Sequence, residues 1–323
     1  MLLPAFSYER PAELPGALAL LQRLAAAGVS YRVHAGGTDL VPELKRDEAA
    51  IGTVVSISRL EALRGVRARP DGGLEVGALT RLSALAEEVR ERFPVISDTA
   101  LQIASPQIRN RATLGGNLLV DNRCVYFNQS PDHRDVHAGC FKAGGEVCHL
   151  VPNAKRGAQP LCRARFVSDL APVLILHDAK VVLARAGAER ELLLKDLYAP
   201  DGIQRTQVAP GELLTRVLIP ASATRRVHYL KLRIRQALDF PSLGVAVSLD
   251  GKKLGVALTG VNTHPVVLSY EGALDATVKQ ACEDAPKRVA PLAQDFFSPA
   301  YRRQMIPVLI RRAVAVLSRK DTP

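Results

Sequence analysis

The chain has 323 residues, enough for two or three domains, and 47% of them are hydrophobic, as is ordinary for a protein with a large core. No run of about 18 apolar residues occurs, and no charged and apolar leader opens the chain, so we predict a cytoplasmic protein without a membrane span. The net charge of +11 comes mostly from scattered arginines. Their scatter argues against a nucleic-acid footprint and favours a solvated basic surface or one that faces an acidic partner.

The first third of the chain alternates short strands with helices and contains a glycine turn. Apolar spacing and turn residues predict, in order, a helix over 14–27, a strand from Tyr31, strands over 53–57 and 73–78, and helices from Thr80 and over 95–103. The first strand runs into Ala35-Gly36-Gly37-Thr38-Asp39. Two glycines let successive N–H groups face one concavity, which suits phosphate oxygens, although a plain strand–turn connection is the alternative.

A second diglycine turn follows at Thr113-Leu114-Gly115-Gly116-Asn117. Two such turns could hold a dinucleotide pyrophosphate from both sides. The Rossmann fingerprint G-x-G-x-x-G and the Walker lysine pattern are both absent, so the usual nicotinamide domain is not predicted.

Four of the five cysteines lie between this turn and residue 169, namely Cys124, Cys140, Cys148 and Cys162. Disulfides are disfavoured in a chain that we expect to be cytoplasmic. Structural zinc usually takes paired C-x2-4-C ligands, whereas these cysteines are 16, 8 and 14 positions apart. Iron–sulfur clusters accept wider ligand spacing. Four unrelated buried thiols are the remaining alternative, but a stretch rich in Gly, His, Asn, Asp and Arg is poor core material.

The chain after the cysteine-rich stretch consists of the last elements of a first domain and of a second domain. Before the boundary, the predicted elements are an ordered segment over 168–176 and strands over 180–184 and 212–219, with a polar stretch to residue 210 between the two strands. A linker is predicted over 220–226. After it, we predict strands over 229–234, 244–249 and 254–260 and a mostly helical region over 271–320. We therefore place a domain boundary near residue 221, with domains 1–220 and 221–323.

The two glycine turns, Ser168-Asp169-Leu170 and the pattern Lys231-x-x-x-Arg235-x-x-x-Asp239 occur in one order and at suitable separations. Together they resemble the FAD-binding medium subunit of the xanthine dehydrogenase and carbon monoxide dehydrogenase family of molybdenum enzymes. The resemblance covers nearly the whole chain. It implies an α+β fold, with a two-part FAD-binding domain of the vanillyl-alcohol-oxidase/PCMH type and a smaller C-terminal domain that combines a three-stranded antiparallel sheet with helices.

About forty residues, over 122–165, are inserted relative to the ordinary family pattern, and they contain all four clustered cysteines. This insertion resembles the one in the β subunit of 4-hydroxybenzoyl-CoA reductase, which carries a 4Fe–4S cluster. That closer resemblance implies that Cys124, Cys140, Cys148 and Cys162 ligate such a cluster. Residues 157–161 lengthen the last gap relative to the family pattern, so His149 is the alternative fourth ligand.

The family resemblance also implies a set of FAD contacts and a role for two charged residues. Asp169 would contact the polar chain or sugar of the cofactor, and Lys231 would stabilise the anionic reduced flavin, unless it only pairs with Asp239. The implied cofactor-binding residues are Val33, His34, Ala35, Gly36, Gly37, Thr38, Asp39, Thr113, Gly115, Gly116, Asn117, Asp169 and Lys231.

No catalytic residue is predicted in this chain, because the molybdenum site would lie on a partner. The resemblance implies a large molybdopterin-binding subunit and a small subunit with two 2Fe–2S clusters, assembled as a dimer of heterotrimers, with ferredoxin as the electron donor. The complex would reductively dehydroxylate an aromatic acyl-CoA. Two alternatives are a related hydroxylase that runs oxidatively and a non-enzymatic zinc-loop interaction module.

Overall fold

We analysed a computed structural model, which describes residues 3–46, 51–137, 139–152 and 161–319. Its strands are β1 (Ser7–Glu9), β2 (Tyr31–His34), β3 (Thr53–Ser56), β4 (Val66–Ala68), β5 (Leu74–Gly77), β6 (Lys180–Arg185), β7 (Ala188–Leu193), β8 (Leu213–Ile219), β9 (Arg226–Leu232), β10 (Leu243–Asp250), β11 (Lys253–Thr259) and β12 (Val266–Glu271). Its helices are α1 (Leu14–Ala26), α2 (Leu40–Lys45), α3 (Leu82–Glu88), α4 (Pro94–Leu101), α5 (Pro106–Arg109), α6 (Leu114–Leu118), α7 (Pro131–Asp135), α8 (Leu170–Leu176), α9 (Leu274–Asp284) and α10 (Pro299–Leu317).

A small parallel sheet carries the first glycine turn. Its strand order is β1-β3-β2, and both outer strands run parallel to β3. The apolar face of α1, with Leu18 and Leu21, packs with Val55 and Ile57 of this sheet region in one core. The turn after β2 is therefore held at the carboxyl end of a parallel sheet, where ligands bind in many α/β structures.

A five-stranded antiparallel sheet, β4-β5-β8-β6-β7, forms the larger half of the N-terminal region. Helices α3, α4, α6 and α8 contribute to the core that covers it. Every residue of α8 is buried, which explains why its sequence lacks an amphipathic pattern. This helix also contacts β10 and β11, so it joins the N-terminal core to the C-terminal sheet.

The C-terminal sheet has four strands in the order β12-β11-β10-β9, all antiparallel. Its other face is covered by α9 and α10, which share a second large core with it. The three predicted strands are present, but the prediction of a three-stranded sheet is wrong, because β12 adds a fourth. The sequence of β12 runs directly into the predicted helical region and is half-exposed at the sheet edge, so its alternation is weak.

Three other strands differ from the sequence prediction. The polar stretch after residue 184 contains β7, which pairs with β6 across a turn at Gly187, whose φ is +79°. Four of the six residues of β7 are exposed, as expected for a charged edge strand whose hydrophobic pattern is hidden. The three-residue strands β1 and β4 were not predicted.

The predicted domain boundary near residue 221 falls between β8 and β9 and stays a prediction. Among the described residues, no helix is both long enough and apolar enough to cross a bilayer.

Candidate functional site

The first glycine turn, between β2 and α2, presents free backbone amides. Gly37 has a φ of +77°, a left-handed conformation that glycine adopts without strain. In the part of the chain that the structure describes, the backbone N–H groups of residues 36–39 donate no hydrogen bond to a protein acceptor. Successive unpaired N–H groups in such a turn form a concavity that suits an anionic ligand.

The second glycine turn is different, because its amides are already used inside the protein. The Thr113 hydroxyl caps α6 by accepting from the Gly116 N–H at 3.1 Å. The N–H of Leu114 donates to the Thr80 carbonyl at 2.9 Å, and that of Gly115 donates to the Ala78 carbonyl at 2.8 Å. A Cβ on Gly115 would lie 2.9 Å from that of Ala78, so this glycine is required for close packing.

The structure brings the two turns together, as the sequence predicts. A Cβ on Gly36 would overlap the backbone carbonyl of Arg111, two residues before the second turn. Burial, together with the cations Arg111 and Arg10, lowers the pKa of His34, whose Nδ1 lies 3.2 Å from the Ser56 hydroxyl. Two cations therefore lie close to the place where the turns meet, which favours a phosphate-bearing ligand.

Asn117 links the second turn to the start of α8. Its Oδ1 accepts from the Ser168 hydroxyl at 2.8 Å and from the Leu170 N–H at 3.4 Å. These two motifs are 51 positions apart in the chain and are separated by the cysteine-rich insertion. The side-chain amide thus holds two segments of the predicted cofactor site in one place.

Asp169 and Lys231, both predicted to contact the cofactor, form a buried ion pair with each other. The Lys231 Nζ donates to Asp169 Oδ2 at 3.0 Å, and the two side chains are 1% and 3% exposed. The Tyr229 hydroxyl donates to Asp169 Oδ1 at 2.7 Å. Burial raises the pKa of Asp169, while Lys231 and Tyr229 oppose the rise. Each oxygen of the carboxylate is therefore satisfied by one donor, as a buried charge requires.

The alternative that Lys231 pairs with Asp239 is wrong, because Arg235 occupies that carboxylate. Its Nε donates to Asp239 Oδ1 at 2.8 Å, and its backbone N–H donates to Oδ2 at 2.6 Å. Tyr229, which donates to Asp169, was not predicted from the sequence. Since side chains two residues apart on a strand share a face, the spacing of Tyr229 and Lys231 on β9 could have revealed it.

The cysteine-rich insertion leaves and re-enters the fold at one point. Arg123 and Arg165 exchange two backbone hydrogen bonds of 2.9 Å, as neighbours in an antiparallel pair do. Beside them, the buried Asn122 side chain donates to the carbonyls of Ala164 at 3.0 Å and Thr263 at 2.8 Å. The insertion is therefore a closed loop with its base fixed to both parts of the fold.

All four clustered cysteines line a single cavity inside this loop. Cys148 and Cys162 are buried, Cys124 and Cys140 are half-buried, and all are free thiols, as is the distant Cys282. Polar and apolar neighbours complete the lining, and they are Tyr126, Phe127, Phe141, Lys142, Val147, His149, Leu150, Arg163 and Ala164. The structure thus brings together the four residues that the sequence singles out, and it places His149 at the same cavity.

Local hydrogen bonds fix the positions of these cysteines. Phe141 and Gly145 donate backbone N–H groups, each at 2.9 Å, to the carbonyls of Val147 and Cys140. A Cβ on Gly145 would overlap the carbonyl oxygen of Gly139, so this tight hairpin needs glycine at the crossing. It pairs Cys140 with Val147, the residue before Cys148, and all three line the cavity.

The opposite end of the loop is anchored by a separate segment. The Cys162 N–H donates to Asp201 Oδ1 at 2.8 Å, and the Gly202 N–H donates to the Cys162 carbonyl at 3.0 Å. Residues 157–160, within the gap that departs from the family pattern, lie outside the described residues.

Burial makes two of the cysteine thiols, those of Cys124 and Cys162, weaker acids than an exposed thiol. Burial raises the pKa of Cys162 to about 12 and also raises that of Cys124. Lys142, which lines the cavity, donates to Asp121 Oδ2 at 2.7 Å. The described residues contain no group of three or more His, Cys, Asp or Glu arranged around a single metal ion.

Comparison with known proteins decides the family. Residues 4–222 match the family described as the FAD binding domain in molybdopterin dehydrogenase. The chain belongs to this family. The match spans both glycine turns, the insertion and α8, so FAD is the cofactor of this domain.

Relatives along nearly the whole chain agree with this assignment. The FAD-binding subunit PaoB of an aldehyde oxidoreductase from Escherichia coli is 33% identical over 86% of this chain and 87% of its own. The carbon monoxide dehydrogenase medium chain of Afipia carboxidovorans is 29% identical over 96% of each chain.

A solved structure of carbon monoxide dehydrogenase from Hydrogenophaga pseudoflava, which lacks the Mo-pyranopterin moiety, superposes on 98% of each chain with a TM-score of 0.75 at 23% identity. This likeness in fold, with the family match, confirms the predicted α+β class and FAD-binding domain. The family of the medium subunits, predicted from the four short motifs, is confirmed as well.

Proposed function

We propose that this chain is the FAD- and 4Fe–4S-containing electron-transfer subunit of a molybdenum enzyme that reductively dehydroxylates an aromatic acyl-CoA. The observation that carries the proposal is the single cavity lined by Cys124, Cys140, Cys148 and Cys162. Four thiolates are the ligand set of a 4Fe–4S cluster, and each ligates a different iron, so they surround a volume and not a point. The inserted cysteines are also the basis of the resemblance to the β subunit of 4-hydroxybenzoyl-CoA reductase.

FAD would be held mainly by the first turn. The free N–H groups of residues 36–39 suit a pyrophosphate, and Thr38 can add a hydroxyl donor. In the second turn, the hydroxyl hydrogen of Thr113 remains available, because Thr113 accepts the Gly116 N–H with an oxygen lone pair. Lys231 would supply positive charge near the flavin, and Asp169 and Tyr229 would position its ammonium group.

The two cofactors would divide the chemistry simply. The cluster passes single electrons and the flavin can collect two, so together they would connect a one-electron donor to a two-electron reaction. Removal of a phenolic hydroxyl consumes two electrons and two protons and releases one water molecule. This chain would pass on the electrons, and the substrate would react on the partner chain that holds molybdenum.

The partner chains are part of the same proposal. The relatives carry names such as FAD-binding subunit, medium chain and dehydrogenase complex subunit, which describe parts of larger assemblies. We propose a large subunit with the molybdopterin cofactor and a small subunit with two 2Fe–2S clusters, in a dimer of heterotrimers. Ferredoxin would donate electrons at the cysteine-rich loop.

The test is the cofactor content of the complex purified without air. We expect one FAD and about four irons with acid-labile sulfide on this subunit. Serine in place of each loop cysteine should remove the paramagnetic signal of the reduced cluster and leave FAD bound. Cys282→Ser is the matched control and should change neither, because Cys282 is buried beneath α10 with its Sγ 3.7 Å from the Pro307 carbonyl.

Specific outcomes would overturn the cluster. Zinc in place of iron would exclude the electron-entry role. If Cys162→Ser keeps the cluster while His149→Ala loses it, the fourth ligand is the histidine, which lines the same cavity. A wild-type subunit with FAD and no metal would refute the iron–sulfur proposal and leave the family assignment intact.

A second candidate function is favoured by the names of the relatives. They are an aldehyde oxidoreductase subunit, carbon monoxide dehydrogenase medium chains and a nicotinate dehydrogenase subunit, which fits a complex that oxidises its substrate. Assaying the complex in both directions separates the two candidates. Reduction of a hydroxylated aromatic acyl-CoA by a low-potential donor supports the first, and oxidation of a small substrate with no such reduction supports the second. The zinc-loop module is the weakest alternative, since the family is defined by FAD binding.

A further inference from the structure

Arg123, the residue before Cys124, reaches from the base of the cysteine loop to the first glycine turn. Its side chain is 13% exposed and forms an ion pair with Asp39, the last residue of that turn. Its Nη1 lies 3.7 Å from Glu43 Oε1 on α2, and its guanidinium lies 4.9 Å from the centre of the Phe240 ring. One side chain thus connects the cysteine loop, the turn and the segment that follows Lys231.

The far end of α2 is held by the same loop. Arg134, on α7 of the insertion, donates from Nη1 to the carbonyl of Arg46 at 3.0 Å, where α2 ends. It also donates to the Gln129 carbonyl at 2.7 Å within the loop. A six-residue helix is marginal alone, so contacts at both of its ends contribute substantially to its position and to that of the turn before it.

We infer that Arg123 is a positioning residue that couples the metal centre to FAD binding. Ligation orders the loop, because metal binding and loop folding are linked. The ordered loop then presents Arg123 to Asp39 and Glu43, which fixes the N–H groups of residues 36–39. By thermodynamic linkage the effect is reciprocal, so bound FAD also favours the loaded metal centre. This inference rests on the proposed presence of both cofactors.

Arginine is suited to this position and lysine is not. The planar guanidinium offers several donors in a fixed fork, so it can serve Asp39 and Glu43 together while its face lies over Phe240. A lysine ammonium could reach one carboxylate but could not stack in the same way. Arg123→Lys should therefore keep the fold and lose part of the coupling, and Arg123→Met should lose all of it.

The experiment measures FAD affinity of the full chain by fluorescence, with its iron loaded anaerobically and with the iron removed by a chelator. In the wild type we expect iron removal to weaken FAD binding about tenfold, within the usual range of coupling between sites. Arg123→Met should bind FAD equally weakly in both states. Arg205→Met is the matched control, because Arg205 also pairs with a carboxylate near the loop base, at 3.5 Å from Asp121. It should keep the tenfold difference.

Two results would overturn the inference. One is equal FAD affinity of the wild type with and without iron, and the other is full iron dependence in Arg123→Met. If Arg123→Met fails to fold, Arg123→Lys provides the test. The inference is overturned if the FAD affinity of Arg123→Lys depends on iron as strongly as that of the wild type. If the wild type binds no iron, both the proposed function and the coupling are refuted. If it binds iron but its FAD affinity does not depend on that iron, only the coupling is refuted.

Discussion

Removing the ammonium group of Lys231 tests the buried ion pair at the predicted flavin site. Lys231→Met keeps most of the side-chain volume and leaves Asp169 with the Tyr229 hydroxyl as its remaining donor. Breaking a buried ion pair on one side costs about 3–5 kcal/mol, because the other charge stays desolvated. Both side chains are at most 3% exposed, so we expect a loss in this range at neutral pH.

The pH dependence of this loss has a definite sign. Burial already raises the pKa of Asp169 above its ordinary 3.8, and Lys231 is the strongest opposing influence. Without Lys231 the folded pKa rises further. When the pKa of a carboxyl is higher in the folded state than in the unfolded state, protonation of that carboxyl stabilises the fold. The stabilisation is complete below the unfolded pKa and disappears as the pH rises through the folded pKa. The defect of Lys231→Met should therefore shrink on acidification and be largest at neutral pH.

The assay is urea unfolding of FAD-free protein at several pH values, so that FAD binding does not contribute. Asp169→Asn and the double variant complete a double-mutant cycle, and the double variant should lose less than the sum of the two single variants. In the FAD-loaded protein, Lys231→Met should keep its iron and make the reduced flavin harder to form. A stability within about 0.5 kcal/mol of wild type at every pH would refute the buried pair. An unchanged flavin potential would refute the role of Lys231 toward the flavin.

Burial lowers the pKa of His177 to about 4 from 6.5, so this side chain should reduce the free energy of unfolding by about 2–3 kcal/mol as the pH drops through this range. In urea titrations, His177→Leu should remove that part of the fall. The prediction fails if His177→Leu retains the wild-type slope. Gly116→Ala should weaken FAD binding in fluorescence titrations, because the new Cβ would lie 3.0 Å from Thr113 Oγ1 and crowd the hydroxyl that caps α6 at the turn. Unchanged FAD affinity would remove Gly116 from the cofactor site. Gly36→Ala should lower both the melting temperature and FAD affinity, since its Cβ overlaps the Arg111 carbonyl, and a variant as stable as wild type would contradict that packing.

Much of the fold could be predicted because its elements carry local signals. The helix over 14–26 has an apolar stripe, and β6 and β8 are apolar runs with clear ends. The elements that were missed lie where tertiary contacts decide. In β7 the outer position in the sheet permits a charged sequence, and in β12 the strand ends directly before a helix.

In the candidate site too, residues in local motifs could be predicted, whereas contacts between distant residues could not. The glycine turns, the cysteines, Asp169 and Lys231 were predicted from motifs whose members lie close together in the chain. The pairing of Lys231 with Asp169 spans 62 positions, and that of Arg123 with Asp39 spans 84. No periodicity connects residues so far apart, so only the folded chain could reveal which charges meet. The use of the second turn's amides by Ala78 and Thr80 was hidden for the same reason.

The backbone pair of Arg123 and Arg165 makes the cysteine-rich insertion modular. Because the chain enters and leaves through two adjacent, hydrogen-bonded positions, residues 124–164 can be exchanged for a short hairpin turn without changing the path of the flanking chain. A flavoprotein could therefore acquire or lose the whole cysteine-rich unit through one genetic insertion or deletion. The same geometry makes the unit portable, so grafting it between the equivalent positions of a relative without these cysteines would transfer the proposed cluster site to that relative.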